Sequence, residues 1–151
     1  MTNYSIEQVI SHRDPMILIS GLNHYDDIRA CCWVDINEHS PFYNSALNGV
    51  PSYVGIEYMA QTVAAYAGAN ALDHQQTVKI GFLLGARKMT TKVRSFTKGT
   101  RLTVNVEELY REESGLSVFG CSISANDEIV AEAKVNVFQP SEPKEFIEEQ
   151  E

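Results

Sequence analysis

Val50-Pro51-Ser52-Tyr53-Val54-Gly55-Ile56-Glu57-Tyr58-Met59-Ala60-Gln61-Thr62-Val63-Ala64-Ala65-Tyr66-Ala67-Gly68-Ala69-Asn70-Ala71 is the stretch on which the fold turns. Pro51 followed by Ser52 as N-cap predicts a helix from about Ser52 to Leu72. From Val54 to Ala69 its one ionisable carboxylate or amine is Glu57. A helix apolar nearly all round is normally buried, so the expectation is a central helix, approached closely by a sheet over Gly55, Ala60, Ala64, Ala65, Ala67, Gly68, Ala69 and Ala71. A buried carboxylate must be paired or held neutral. That is the kind of group acid–base catalysis uses near neutral pH.

Outward from this helix the signals change to period two. Leu102, Val104 and Val106 alternate with Thr103, Asn105 and Glu107; Ala131, Ala133, Val135 and Val137 alternate with Glu132, Lys134 and Asn136. That pattern belongs to an antiparallel sheet with one face covered. Strands are expected over Val78–Lys88, Thr100–Tyr110, Leu116–Ala125 and Ile129–Phe138, with turns at Glu113-Ser114-Gly115 and Asn126-Asp127. On the N-terminal side, Ser5-Ile6-Glu7-Gln8 fits a capping box opening a short helix. Met16–Ile19 and Ile28–Ile36 read as strands, with Asn23 to Asp27 as turn and residues 37–51 as loop. One helix covered by a curved antiparallel sheet of about six strands is the α+β hot-dog arrangement. Sheet edges left by it are naturally blunted by dimerisation.

The chain has 151 residues, expected to form one domain over residues 1–140 followed by an acidic tail over 141–151. Hydrophobic residues are 44% and charged ones 21%, which favours neither disorder nor a membrane class. No stretch approaches the roughly 18 apolar residues of a membrane span, and Met1–Glu7 lacks a signal-peptide pattern. The expected compartment is the cytoplasm. Cys31, Cys32 and Cys121 have no zinc or disulfide spacing and read as reduced thiols at packing positions. No metal cluster, phosphate loop or dinucleotide fingerprint is present, so no metal and no cofactor are expected.

Net charge is −8, which argues against nucleic acid as partner. Residues 85–101 hold six of the twelve basic residues and no acidic one, so this segment is +6 and the remainder −14. Such a strip is either a solvated face or a docking site for an acidic partner or a phosphate.

The helix segment resembles the helix start of FabA/FabZ-type 3-hydroxyacyl-[acyl-carrier-protein] dehydratases, whose pattern ends in an acidic residue followed by x-Met-Ala-Gln. Ser11-His12-Arg13-Asp14-Pro15-Met16-Ile17-Leu18-Ile19 is similar to their N-terminal His-Arg-x-Pro segment, and Ile80–Lys88 to a strand that follows the helix. The wording is closer still to the ApeP-like dehydratases of aryl polyene pigment clusters, through Asn136-Val137-Phe138-Gln139-Pro140. One motif departs. The family's Gly-His-Phe-Pro-Gly histidine precedes the acidic residue by fourteen positions, and here that position is Tyr43; the nearest histidine is His39, eighteen before Glu57.

The resemblance implies dehydration of a 3-hydroxyacyl thioester to its trans-2-enoyl product, on an acyl carrier protein that presents the substrate on phosphopantetheine. Glu57 is then the acid that protonates the departing hydroxyl, and His39 the candidate base. Gln61, one turn on, either orients the carboxylate or makes a structural hydrogen bond. Backbone N–H groups from Ser52 through Val54 to Gly55 are candidate oxyanion donors, with Gly55 admitting the thioester. Arg87, Lys88, Lys92, Arg94 and Lys98 become candidate carrier-docking residues. His12 is read as packing, and His24 and His74 are weaker candidates for the base than His39. Two rival readings stay open: a catalytically incomplete subunit completed by a related hot-dog chain, homodimer or heterodimer being undecided, and a hot-dog acyl-thioesterase.

Overall fold

The computed structural model describes residues 4–78 and 81–139. In chain order the elements are α1 (Ile6–Val9), β1 (Gly21–Tyr25), β2 (Arg29–Asp35), β3 (Gly49–Pro51), a 3₁₀ turn (Ser52–Val54), α2 (Gly55–Asp73), β4 (Phe82–Thr91), β5 (Ser95–Thr97), β6 (Arg101–Arg111), β7 (Leu116–Ala125) and β8 (Glu128–Phe138). Six strands form an antiparallel sheet in the order β1-β2-β6-β7-β8-β4, and β3 pairs with β5 apart from it. The acidic tail, residues 141–151, lies outside the described residues.

The register aligns the alternating apolar positions into rows facing α2. Cys32 pairs with Val104, Val104 with Ile123 and Ile123 with Ala131; Ala30, Val106, Cys121 and Ala133 form the next row. All eight are buried in one continuous core. Burying a Val or Ile side chain contributes roughly 1.5–3 kcal/mol, so period-two patterning decides which face of the sheet turns inward. The β7–β8 hairpin turns through Asn126 and Asp127, with φ of 52° and 65°. Asn and Asp tolerate that left-handed pair, which matches strand twist.

Four expectations need correction. Met16–Ile19 is not a strand, because the N–H of Leu18 bonds to Gln61 Oε1 (2.9 Å) and the carbonyl of Met16 accepts from Gln61 Nε2 (2.7 Å). Its backbone is satisfied by a helix side chain instead of a ladder. The strand comes later, over Gly21–Tyr25, where a turn was expected; the turn is made by Asp26, whose Oδ1 accepts from the N–H groups of Ile28 and Arg29. The loop over 37–51 ends in a short strand, β3. The helix itself opens with the 3₁₀ turn, which takes in Ser52 and moves the N-cap position to Val54, so Ser52 makes no capping bond.

α2 is buried on the face of Tyr58, Met59, Thr62, Ala65, Tyr66 and Ala69. Tyr58 packs against Phe96 and Tyr66 against Phe119, with ring centroids 5.9 and 5.4 Å apart. Gly68 lets the end of α1 close on the helix: a Cβ there would run into the carbonyl of Val9. The opposite face is not covered. Glu57 is exposed, and Ala60, Ala64, Ala67, Asn70 and Ala71 are half-buried. The expectation of burial all round is thereby overturned, for a simple reason. Alanine is tolerated equally on a packed and on an open face, so an alanine-rich helix does not announce its exposed stripe.

Candidate active site

The open face of α2 is the floor of a cavity of about 680 Å³. Glu57, Ala60, Ala64 and Ala67 run along it. Ile10, Ser11 and His12 form one wall, and Ser117, Phe119 and Val137 of the sheet form another. The far end, beyond Asn70, is polar and contains Asp27, Tyr66, Glu108 and Arg111. The result is an elongated trough with apolar side chains along its helix floor and polar groups at its walls and far end.

Glu57 stands in the first turn of α2 and makes no hydrogen bond or ion pair among the described residues. Its carboxyl group is therefore free for a ligand. It is solvated on an open face, and the sequence-based expectation of a carboxylate sealed in the core does not hold. Gln61 is buried, and its carbonyl and amine both serve the 16–18 segment. Of its two expected roles, the structural one is what the geometry gives.

Ser52, Val54 and Gly55 are not among the residues lining the cavity. The N–H of Ser52 is taken by Arg94 and that of Gly55 by the Ser52 carbonyl, so neither is an open oxyanion donor. The absent side chain of Gly55 serves the core: a Cβ there would lie 3.0 Å from Ile123 Cδ1 and 3.2 Å from Phe96 Cζ.

His39 is also displaced from its expected place. Its ring is 89% exposed, its Nε2 lies 3.7 Å from Glu38 Oε1, and it is not among the residues lining the cavity. The loop that carries it is tied to itself. Asn37 Oδ1 accepts the His39 N–H, Asn44 Oδ1 accepts the Ala46 N–H, and the Asn48 carbonyl holds the Lys98 N–H. Four extra residues are absorbed in these turns and do not carry the imidazole toward Glu57. Tyr43, at the family's histidine position, points its hydroxyl at Asn48 Oδ1 (3.4 Å).

Other titratable groups do enter the cavity. His12 lines it together with Glu57, and its Nδ1 is the one buried side-chain nitrogen or oxygen without a hydrogen-bond partner among the described residues. Tyr66 donates to the Asp27 carbonyl (2.6 Å); burial first, then the charge of Glu108, pushes its phenol up to about 12, against an opposing pull from Arg111. Arg111 pairs with Glu108 at 2.8 Å, and that carboxylate raises the Arg111 pKa. No spacing in the sequence marks Glu108 or Arg111. His12 was signalled only by its place in the N-terminal His-Arg-x-Pro segment.

The basic residues Arg87, Lys88, Lys92, Arg94 and Lys98 are all exposed. Lys98 pairs with Glu38 at 3.3 Å; the other four make no ion pair among the described residues.

A free carboxyl and an imidazole lining one cavity can move protons on a bound ligand. The model of the ApeP-like family, described as ApeP dehydratase, matches residues 4–148. The 3-hydroxyacyl-[acyl-carrier-protein] dehydratase FabZ of Ralstonia nicotianae is 29% identical over 136 residues, which cover 86% of this chain and 80% of that protein. Among solved structures, the dehydratase heterocomplex ApeI:P from Xenorhabdus doucetiae superposes with a TM-score of 0.90 at 23% identity, over 99% of this chain and 100% of that one. A hypothetical thioesterase with coenzyme A from Streptococcus pneumoniae superposes at 0.59 with 13% identity, covering 78% and 83%. These two likenesses speak for the hot-dog fold.

Proposed function

Because the chain belongs to the ApeP-like dehydratase family, we propose that it dehydrates 3-hydroxyacyl thioesters carried by an acyl carrier protein to trans-2-enoyl products. The observation that carries this reading is Glu57, an unpaired carboxyl on the alanine floor of an acyl-sized trough. Dehydration breaks the C2–H and C3–O bonds and forms a C2=C3 double bond and water. A base takes the C2 proton, and Glu57 gives a proton to the hydroxyl as it leaves. The alanines of α2 and the side chains of Phe119 and Val137 give the acyl chain an apolar bed. The reaction is a proton balance within one substrate, so it calls for no cofactor beyond the phosphopantetheine that carries the thioester. The exposed basic residues support an acidic carrier protein as the partner that delivers it. Buried free thiols are in keeping with a cytoplasmic location.

A second reading is favoured by the open face of α2. A hot-dog subunit of the same or related sequence, laid over that face, would close the trough and complete the site, and the chain is therefore tested as one half of a pair. The purified protein, alone and with a related subunit, is given a 3-hydroxyacyl thioester, and enoyl product and free thiol are followed. Enoyl product from the protein alone supports the first reading; product only in the mixture supports the paired one. Thiol release without enoyl product would make it a thioesterase, and no turnover in any format would remove the enzymatic reading.

A further inference from the structure

The outer face of the sheet carries charges that the reaction does not use. Ala133 and Val135 of β8 are buried toward α2, so Lys134 between them is turned to the opposite face. One rung of the sheet crosses five strands through that residue: Arg29 of β2, Glu107 of β6, Gly120 of β7, Lys134 of β8 and Arg87 of β4. Arg29 and Glu107 neutralise each other at 2.8 Å. Gly120 supplies no side chain, and beyond it Lys134 and Arg87 stand directly opposite each other. Like charges at paired positions destabilise a sheet. Neither cation has an ion-pair partner among the described residues.

A third cation is added by an irregularity of β4. Between the pairs Arg87↔Lys134 and Thr90↔Glu132 the register slips, so Lys88 and Met89 together oppose Ala133. Lys88 stands at φ 55°, in the left-handed region. The left-handed position of such a bulge normally belongs to glycine, because a side chain there is strained. The bulge leaves Lys88 lining a groove of about 450 Å³ together with Lys134, and Asn105 and Ser122 offer neutral donors in the same lining. Repulsion and backbone strain thus fall on neighbouring residues of one groove. A bound anion offsets both, by screening Arg87 from Lys134 and by giving the re-aimed Lys88 a charged partner. Glu132 lines the groove as well, so the three cations keep a net of two positive charges, which matches one dianion.

We propose that Arg87, Lys88 and Lys134 form a binding site for a phosphate dianion, free or at the end of a small phosphorylated molecule. The site is on the opposite side of the sheet from α2 and its trough. Its ligand is therefore separate from the acyl substrate, and its binding does not depend on the dehydratase reading.

Two measurements on the full chain test it. In the first, calorimetric titration with inorganic phosphate, at an ionic strength held constant with sodium chloride, should show one saturable site with a Kd on the order of 1 mM. Glycerol 3-phosphate separates the two sources: tighter binding than phosphate assigns the site to a phosphorylated molecule, and equal or weaker binding assigns it to the free ion. In the second, Arg87→Gln and Lys134→Met should each weaken phosphate binding about fivefold, the upper end for an exposed ion pair. Lys88→Gly should weaken it by a similar factor without lowering the thermal midpoint, since glycine suits the left-handed backbone. Lys92→Gln, on the same basic segment but off the rung, is the control and should bind as wild type does. Absence of saturable binding by the wild-type protein would overturn the proposal, and that titration needs no variant. So would wild-type affinity in Lys88→Gly, or an equal loss in Lys92→Gln, which would mean general screening by an adventitious ion only. If Lys134→Met raises KM for a carrier-borne substrate while phosphate binding is unchanged, the cluster docks the carrier and the phosphate site falls.

Discussion

Glu57 is solvated on the open face of α2, so its replacement should separate chemistry from folding. Glu57→Gln keeps shape and polarity but removes the transferable proton. Enoyl formation should fall at least 100-fold, while the thermal midpoint stays within about 2 °C, because exposed substitutions cost within roughly 0.5 kcal/mol. Retained turnover would take Glu57 out of the reaction. The cysteines give an independent test of the core. Burial pushes the thiols of Cys32 and Cys121 up to about 12 and raises that of Cys31 as well. At pH 8 all three should therefore resist an aromatic disulfide reagent in the native protein and react together on unfolding. Fast native labelling of Cys32 or Cys121 would mean that the sheet does not seal on α2. At this scale the sequence singled out Glu57 but misjudged its setting. A charge among alanines is conspicuous in a string of letters, whereas the face it occupies depends on what the neighbouring strands cover. His39 is the histidine nearest to Glu57 in number but does not line the cavity, whereas His12 does, on a segment anchored at Gly68 and Gln61.

That path makes Gln61 the joint between elements. Its side chain ties the segment before β1 to the centre of α2 through two hydrogen bonds of 2.9 and 2.7 Å. Gln61→Met keeps the volume but strands the Leu18 N–H and the Met16 carbonyl. At roughly 1–3 kcal/mol for each buried group left unpaired, the urea midpoint should drop by the equivalent of about 3 kcal/mol, and the Leu18 amide should exchange faster. A variant as stable as wild type would show that water replaces the joint at no cost. This element also explains where strand reading succeeded and failed. β7 was legible end to end, Leu116–Ala125, because alternation and turn residues agreed. Met16–Ile19 has the apolar run of a strand, but an apolar run reports burial and not pairing. Asn23 and His24 disguised the true β1, whose pairing with β2 is interrupted by a bulge between Leu22 and His24.

Across the whole molecule the decisive asymmetry is charge. The protein is acidic at −8, yet Arg87, Lys88, Lys92 and Arg94 stand exposed without ion-pair partners among the described residues. The carbonyl of Arg94 accepts the Ser52 N–H just before α2 begins, so this end of the strip is tied to the start of the helix that carries Glu57. These cations are the proposed contact for an acidic carrier protein. Charge reversal at Lys92 and Arg94 should accordingly raise KM for a carrier-borne substrate about tenfold at low ionic strength, chiefly through slower association. The difference should shrink as salt shortens the Debye length below about 10 Å. The same double variant should turn over a small pantetheine thioester at the wild-type rate, since no carrier is involved. Equal losses on both substrates would point to damage at the helix start instead of docking. An unchanged KM for the carrier-borne substrate at low salt would return the strip to an ordinary solvated face.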